Sequence, residues 1–213
     1  MIYQGTWGEF IEIAAKDKLL YPLLNKYHGL RIVGIINIFE ALAWSVIGQQ
    51  INLHFAYKIK SALVKEYGLK LTINEEEFYA FPNPEIIADL QIKDLLSLQF
   101  SRQKADYLIG IAKLLTEGKL QKAEMESCTY PETIKKLVAI RGIGPWSANY
   151  VAMRCLNKME AFPIDDAGLQ NALKNELGLD KKPDIKQIEE LGNSWRPWQA
   201  YATLYLWRSL AVV

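Results

Sequence analysis

The sequence is poor in cysteine and in long apolar runs, and each shortage excludes a class of protein. Two cysteines, Cys128 and Cys155, are too few for a four-thiolate iron–sulfur cluster or a zinc knuckle, so we expect reduced thiols in an intracellular protein. No apolar run reaches the roughly eighteen residues that a membrane span needs. The segment Met1 to Gly8 lacks the basic and apolar regions of a secretory signal. We therefore expect no membrane partner.

Net charge is also small, because 25 lysines and arginines face 24 aspartates and glutamates, which leaves +1. A nucleic-acid partner would thus have to meet local positive potential from helix N-termini and a few basic side chains. Half of the 213 residues are apolar and 23% are charged, so a packed core is expected. This length suits one large domain or two small lobes that share an interface.

Strand-like alternation is missing as well, and the spacing of apolar residues is helical almost throughout. Asn37, Asn52 and Ser101 stand where N-caps are expected, each just ahead of a predicted helix. Residues 69 to 83 are the least regular stretch and end in turn signals. The sequence therefore predicts an all-α protein.

A Gly-Ile-Gly turn lies between two predicted helices, the second of which begins at Pro145, where proline is well tolerated. Gly142 and Gly144 allow backbone conformations, including positive φ, that side chains forbid. The N–H groups near Gly144 and Ser147 can converge on one phosphate, a contact that fixes position on DNA without reading its sequence. The alternative is a helix-turn-helix corner whose glycines serve only the turn.

The residues around this turn resemble a known family. They read Leu137-x-x-Ile140-x-Gly142-Ile143-Gly144-x-Trp146-Ser147-Ala148, followed by Asn149-Tyr150. This string resembles the helix-hairpin-helix of the HhH-GPD superfamily of DNA glycosylases, and most of all its 3-methyladenine DNA glycosylase II (AlkA-like) branch. The resemblance extends from about Leu30 to Trp207 through Gly48-Gln49-Gln50, Phe100-Ser101-Arg102-x-Lys104-Ala105, Phe162-Pro163-Ile164-Asp165-Asp166 and Trp195-x-Pro197-Trp198.

The resemblance implies two helical lobes that flank a DNA-binding cleft. Lobe A would cover about residues 35–158, with the helix-hairpin-helix at about 131–157, and lobe B would combine about 1–34 with 159–213. We expect residues 1–213 to form a single catalytic unit, a compact form without the N-terminal α+β domain of the best-known bacterial members. The resemblance also implies a structural Na⁺ or K⁺ on the backbone carbonyls of Val138, Ile140 and Gly142. No cofactor is expected to be required, and no iron–sulfur cluster.

The acidic pair Asp165-Asp166 lies about twenty residues beyond Trp146, and the resemblance gives Asp166 the catalytic place. Opening of the bond between a base and its deoxyribose builds positive charge on the sugar. A carboxylate can stabilise that charge and can orient or deprotonate the attacking water. The alternative is that these acids only cap the following helix; we expect Asp165 to do so and Asp166 to face the reaction.

The aromatic residues Trp146, Tyr150 and Trp207 match pocket positions of the family. Their π faces would attract a flipped cationic base such as 3-methyladenine or 7-methylguanine, although packing in the core is the alternative for each. In members that also nick the strand, the position of Trp146 is a lysine that forms a Schiff base. We therefore expect a monofunctional enzyme that leaves an abasic site.

Gln50 occupies the position from which the family inserts a side chain into the gap left by the flipped base, and Ile51 is the second candidate for this wedge. The alternative is an ordinary polar loop. Trp44, Trp195 and Trp198 are expected to be core residues. Candidate phosphate contacts, unless they are merely solvated, are Lys135, Lys136, Arg141, Arg102 and Lys104.

These expectations combine into one hypothesis, with two alternatives. The chain would be a glycosylase of base excision repair that acts as a monomer on double-stranded DNA containing alkylated bases. It would be cytoplasmic, or associated with the nucleoid if bacterial. A non-catalytic helix-hairpin-helix DNA-binding module would explain the turn but gives no reason for Asp166. A glycosylase with lyase activity is disfavoured by Trp146.

Overall fold

The structure is a computed structural model that describes residues 7–210. Residues 1–6 and 211–213 lie outside it, and with them most of the segment for which no secretory signal is expected. The chain divides into two compact units: the first combines Met1–Ile36 with Ala148–Val213, and the second is Asn37–Ser147. The predicted lobes differ from these units in residues 148–158, which belong to the first unit. None of the described helices is long and apolar enough to cross a membrane.

The described residues form thirteen helices and one pair of strands. The elements up to the middle of the second unit are α1 (Trp7–Lys16), α2 (Leu20–Lys26), α3 (Ile38–Ile47), α4 (Leu53–Tyr67), β1 (Lys70–Ile73), β2 (Glu76–Tyr79), α5 (Pro84–Ala88) and α6 (Ile92–Leu96). The remaining elements are α7 (Arg102–Thr116), α8 (Lys122–Ser127), α9 (Tyr130–Val138), α10 (Pro145–Arg154), α11 (Ala167–Glu176), α12 (Ile185–Ser194) and α13 (Gln199–Leu210).

In the second unit, α7 is the central helix and packs against α3, α5 and α6. The three predicted N-caps are confirmed: the side chains of Asn37, Asn52 and Ser101 accept hydrogen bonds from first-turn N–H groups of α3, α4 and α7. These bonds satisfy donors that a helix cannot satisfy itself. The first turns of α3, α4 and α7 are thereby well defined, and the first turn of α7 carries Lys104, which bears on the functional site.

The prediction of a mainly helical chain is confirmed, with one departure: an antiparallel pair of strands occupies the stretch predicted to be the least regular. β1 pairs with β2, and Leu71 stands opposite Phe78. Asn74 and Glu75 join the strands with φ angles of 49° and 67°, as a two-residue turn of type I′ requires. Both strands are exposed at nearly every residue, and each is only four residues long. β1 alternates polar and apolar residues, but so short a run does not outweigh the helical pattern around it, and β2 does not alternate.

In the first unit, α11 packs against α13, and this contact positions the loop before α11, which carries Asp165 and Asp166. Phe10, Trp195 and Tyr201 are fully buried in the core, and Trp198 is 5% exposed. The prediction that Trp195 and Trp198 are core residues is therefore confirmed. Trp44, in the second unit, is only half-buried and packs against a tyrosine ring 4.8 Å away.

Candidate functional site

The predicted hairpin joins α9 to α10, and Gly142 is its most constrained residue. Its φ is +93°, a left-handed conformation that L-residues rarely adopt. A Cβ added there would also lie 2.4 Å from the ring of Tyr107. Gly142 is thus required twice, once by its backbone and once by the ring that packs on it.

The other hairpin residues have different surroundings. Gly144 does not have a positive φ, contrary to expectation, and a Cβ added to it would meet nothing within 4 Å. Ile143 is 3% exposed and Ser147 is 1% exposed, so their side chains belong to the interior. Gly144 therefore presents open space at the start of α10, where first-turn N–H groups have no acceptor within the helix.

The candidate phosphate contacts are largely engaged within the protein. Arg141 Nη2 lies 2.8 Å from Asp106 Oδ2, and Lys136 pairs with Glu124. Lys104 donates to backbone carbonyls instead of pointing to solvent. Backbone amides at the start of α10 remain the group best suited to a phosphate.

The backbone carbonyls expected to hold a cation fit that role unequally. Gly142 O accepts a hydrogen bond of 2.8 Å from Gln49 Nε2, and Ile140 O accepts one of 3.0 Å from Ile143 N. A carbonyl oxygen has two lone pairs, so both oxygens can still bind a cation, and Gly142 is the less suited because its hydrogen bond is the shorter. Within residues 7–210, no three His, Cys, Asp or Glu side chains group as metal ligands. The monovalent cation on the carbonyls of Val138, Ile140 and Gly142 stays a prediction.

Asp166 is the N-cap of α11. Its Oδ1 accepts hydrogen bonds from Leu169 N at 2.6 Å and from the indole Nε1 of Trp207 at 2.7 Å. The prediction that Asp165 caps this helix is wrong. The helix begins at Ala167, so the residue directly before it, in extended conformation, is the one that reaches the first-turn amides. Asp165 is exposed, whereas Asp166 is half-buried.

The carboxylate–indole pair fixes the orientation of both groups. Two donors on one oxygen restrict rotation of the carboxylate, and the Trp207 ring is held in turn by its N–H. The sequence placed both residues in the site but gave no sign that they touch, because they are 41 positions apart. Their contact follows from the packing of α11 on α13.

A second pair of the same kind shows that such geometry alone does not mark a catalytic acid. Asp17 Oδ1 accepts from the amides that begin α2, and Asp17 Oδ2 accepts from the indole of Trp195 at 2.8 Å. Trp195 is fully buried, whereas Trp207 is only half-buried. Accessibility of the ring, together with the family match, is what distinguishes Asp166 from Asp17.

Gly168 is a further residue of this site, and the sequence pattern did not identify it. A Cβ added there would lie 2.9 Å from Asp166 Oδ1 and 3.3 Å from Trp207 Cδ1. The absence of a side chain at this position therefore lets the carboxylate and the indole meet. Only the sequence Asp-Ala-Gly, with glycine two residues beyond the acid, could have hinted at this close approach.

Replacing Gly168 by alanine is expected to separate activity from stability. The added methyl group would displace the carboxylate or the indole, and we expect base release to slow by about tenfold, as misplaced catalytic groups do. Stability should change by no more than about 1 kcal/mol, because the better helix preference of alanine offsets part of the strain on the capping carboxylate. Single-turnover base release and thermal unfolding measure the two effects. An unchanged rate at unchanged stability would contradict the assigned role of Gly168.

The remaining predicted residues lie in two different units. Trp146 is half-buried in the second unit, near Gly48, and Tyr150 is 8% exposed in the first unit. Gln50 is exposed, with a φ of 53°, and Ile51 is half-buried. The protrusion of Gln50 suits a wedge better than the partly covered Ile51. The pocket and wedge roles of these residues stay predictions.

Two helices joined by a Gly-x-Gly turn, in an almost wholly helical chain, define the class of helix-hairpin-helix proteins. The profile of the HhH-GPD superfamily of base excision DNA repair proteins matches residues 43–197, and the chain belongs to this superfamily. The resemblance read from the hairpin and its neighbours is thus confirmed.

Named relatives agree with this assignment. A DNA-3-methyladenine glycosylase of Bacillus subtilis is 44% identical over 201 residues, which cover 94% of this chain and 66% of that protein. The chain thus spans slightly less than two thirds of that relative. Among solved structures, a 3-methyladenine DNA-glycosylase from Archaeoglobus fulgidus has a TM-score of 0.83 at 26% identity, over 97% of this chain and 71% of that one. The 3-methyladenine DNA glycosylase Mag1 of Schizosaccharomyces pombe, in complex with abasic DNA, has a TM-score of 0.80 at 25% identity, over 95% of this chain and 96% of that one.

Proposed function

We propose that this protein is a monofunctional DNA glycosylase of base excision repair. It hydrolyses the N-glycosidic bond of alkylated bases and leaves an abasic site. The observation that carries the proposal is the half-buried carboxylate of Asp166, oriented by the Leu169 amide and the Trp207 indole. The names of the relatives from B. subtilis and A. fulgidus support the class of substrate.

In the proposed reaction, Asp166 acts on the sugar. The base departs with the electrons of the C1′–N bond, and positive charge develops on the deoxyribose. The Asp166 carboxylate stabilises that charge and directs a water molecule to C1′. Water supplies the hydroxyl group of the abasic site, and its remaining proton leaves to solvent or to the departing base. No covalent enzyme intermediate forms, because Trp146 stands where strand-nicking members have a lysine.

The proposed substrate is a cationic base of the 3-methyladenine or 7-methylguanine type. Such a base is already a good leaving group and is attracted to an electron-rich aromatic face by roughly 0.5–2 kcal/mol. Trp207, which is half-buried and whose N–H donates to Asp166, is suited to contact it. Trp146 and Tyr150 are the other proposed pocket residues. The proposed partner is double-stranded DNA, bound by a monomer inside the cell.

The test is incubation of the protein with dimethyl sulfate-treated duplex DNA, followed by chromatography of released bases and by gel electrophoresis with and without alkali. We expect free 3-methyladenine and 7-methylguanine to appear. Strand breaks should appear only after alkali, because an enzyme without lyase activity leaves the abasic site intact until alkali cleaves the strand there.

Two other outcomes would contradict the proposal. Breaks without alkali would identify a glycosylase with lyase activity and would remove the argument from Trp146. DNA binding without any base release would identify a non-catalytic helix-hairpin-helix module. Heat-denatured protein provides the control for spontaneous loss of methylated bases.

A further inference from the structure

The loop that follows α3 holds one residue in an unusual conformation. Gln50 has a φ of 53°, which non-glycine residues adopt rarely and which persists only where the surroundings impose it. Its side chain is exposed. The surroundings of Gln50 therefore fix the direction in which its side chain points into solvent. The groups that fix it are Lys104 and Gln49.

Lys104 holds this loop from the first turn of α7. Its Nζ donates to Ile47 O at 2.8 Å and to Gln49 O at 2.7 Å. Carbonyls at the C-terminus of a helix lack partners within the helix and carry partial negative charge, so an ammonium group suits them. Partial burial lowers the pKa of Lys104, as expected for a charge withdrawn from water.

Gln49 connects the same loop to the hairpin. Its Nε2 donates to Gly142 O at 2.8 Å and to Ser147 Oγ at 3.2 Å. Gln49 is therefore fixed through its carbonyl by Lys104 and through its side chain by the hairpin. Gln50, the next residue, has little freedom to change direction. All of these contacts lie within the second unit.

We propose that Lys104 and Gln49 are positioning residues that hold Gln50 at a fixed place relative to the phosphate-binding hairpin. Anchoring of the DNA backbone at Gly144 would then set where Gln50 enters the duplex. The inference rests on the proposed glycosylase activity, since a wedge matters only where a base must leave the stack. It assigns Lys104 to the wedge loop and not to a phosphate.

The test compares two duplex oligonucleotides that each contain one 7-methylguanine. In the first the lesion is paired with cytosine; in the second it stands opposite a tetrahydrofuran abasic-site analogue, so that no base pair has to open. For Lys104→Met we expect single-turnover release from the paired duplex to fall roughly tenfold to a hundredfold, since hydrogen bonds to a charged group are lost. Release from the unpaired duplex should change little, because extrusion of an unpaired base costs less.

Three further variants sharpen the test. Lys104→Arg keeps charge and donors and should recover part of the rate on the paired duplex. Gln49→Met removes the link to the hairpin and should show the same selective loss as Lys104→Met, which gives a second reading if one variant folds poorly. Lys113→Met makes the same change at an exposed lysine of α7 and should resemble the wild type on both duplexes.

The outcomes distinguish a failure of the positioning role of Lys104 and Gln49 from a failure of the proposed glycosylase activity. Equal losses on both duplexes, or a loss on neither, would overturn the positioning role of Lys104. A weaker affinity for undamaged DNA with unchanged single-turnover rates would return Lys104 to the phosphate contacts and overturn the inference as well. Absence of release by the wild-type protein from either duplex would be a failure of the proposed function itself.

Discussion

Replacing Asp166 by asparagine is expected to abolish base release while the protein stays folded and still binds DNA. Asparagine keeps an oxygen that can accept from Leu169 N and from the Trp207 indole, and it is as good an N-cap as aspartate. What it removes is the negative charge opposite the developing positive charge on the sugar. Loss of such electrostatic stabilisation costs at least about a hundredfold in rate.

The neighbouring residue supplies a matched control for this experiment. Asp165→Asn makes the same chemical change one position earlier, at an exposed carboxylate. We expect this variant to release bases at nearly the wild-type rate. Release is measured under single-turnover conditions, DNA affinity by fluorescence anisotropy, and folding by thermal unfolding. Normal turnover by Asp166→Asn, or equal inactivity of the two variants, would refute the mechanism given for Asp166.

Replacing Gly144 by valine is expected to weaken DNA binding without unfolding the protein. A Cβ at this position meets nothing within 4 Å, so a side chain can be accommodated here and should cost little stability. It would stand where the DNA backbone is expected to approach the start of α10. We expect affinity to fall roughly tenfold, the equivalent of one or two phosphate hydrogen bonds. The loss should be the same for damaged and undamaged duplexes of any sequence.

Gly142→Ala is the contrasting change in the same hairpin. Its positive φ alone would cost a non-glycine residue about 1–2 kcal/mol, and the Tyr107 ring blocks the new methyl group. This variant should therefore unfold at lower temperature or denaturant concentration. Anisotropy titrations at constant salt and denaturant unfolding of both variants make the comparison. A Gly144→Val defect confined to particular damaged bases would contradict its role as a phosphate anchor.

Residues that belong to local patterns were predictable from the sequence. The N-caps Asn37, Asn52 and Ser101 act over three residues, and the structure confirms all three. The helical character of most of the chain and the family were likewise readable. The hairpin was recognisable because its glycines and proline act through local backbone geometry.

Contacts between distant segments were not predictable in this way. The Asp166–Trp207 bond and the Lys104 contacts to Ile47 and Gln49 depend on packing of helices far apart in sequence. The choice between Asp165 and Asp166 as the cap turned on a single residue at the helix start, which is where sequence patterns are least exact. The alternation of β1 extends over only four residues, too few to distinguish a strand from irregular structure.

The capping role of Asp166, together with its proposed catalytic role, constrains how this protein can diverge. A lineage that drifts toward binding DNA without releasing bases cannot discard the carboxylate freely, because an apolar residue at position 166 would also leave the start of α11 uncapped. Asparagine, serine or threonine would still cap the helix but would remove the carboxylate that the proposed reaction requires. Among descendants that have lost catalysis, position 166 should therefore be occupied by small polar residues, and an alanine there should be accompanied by compensating changes elsewhere in α11.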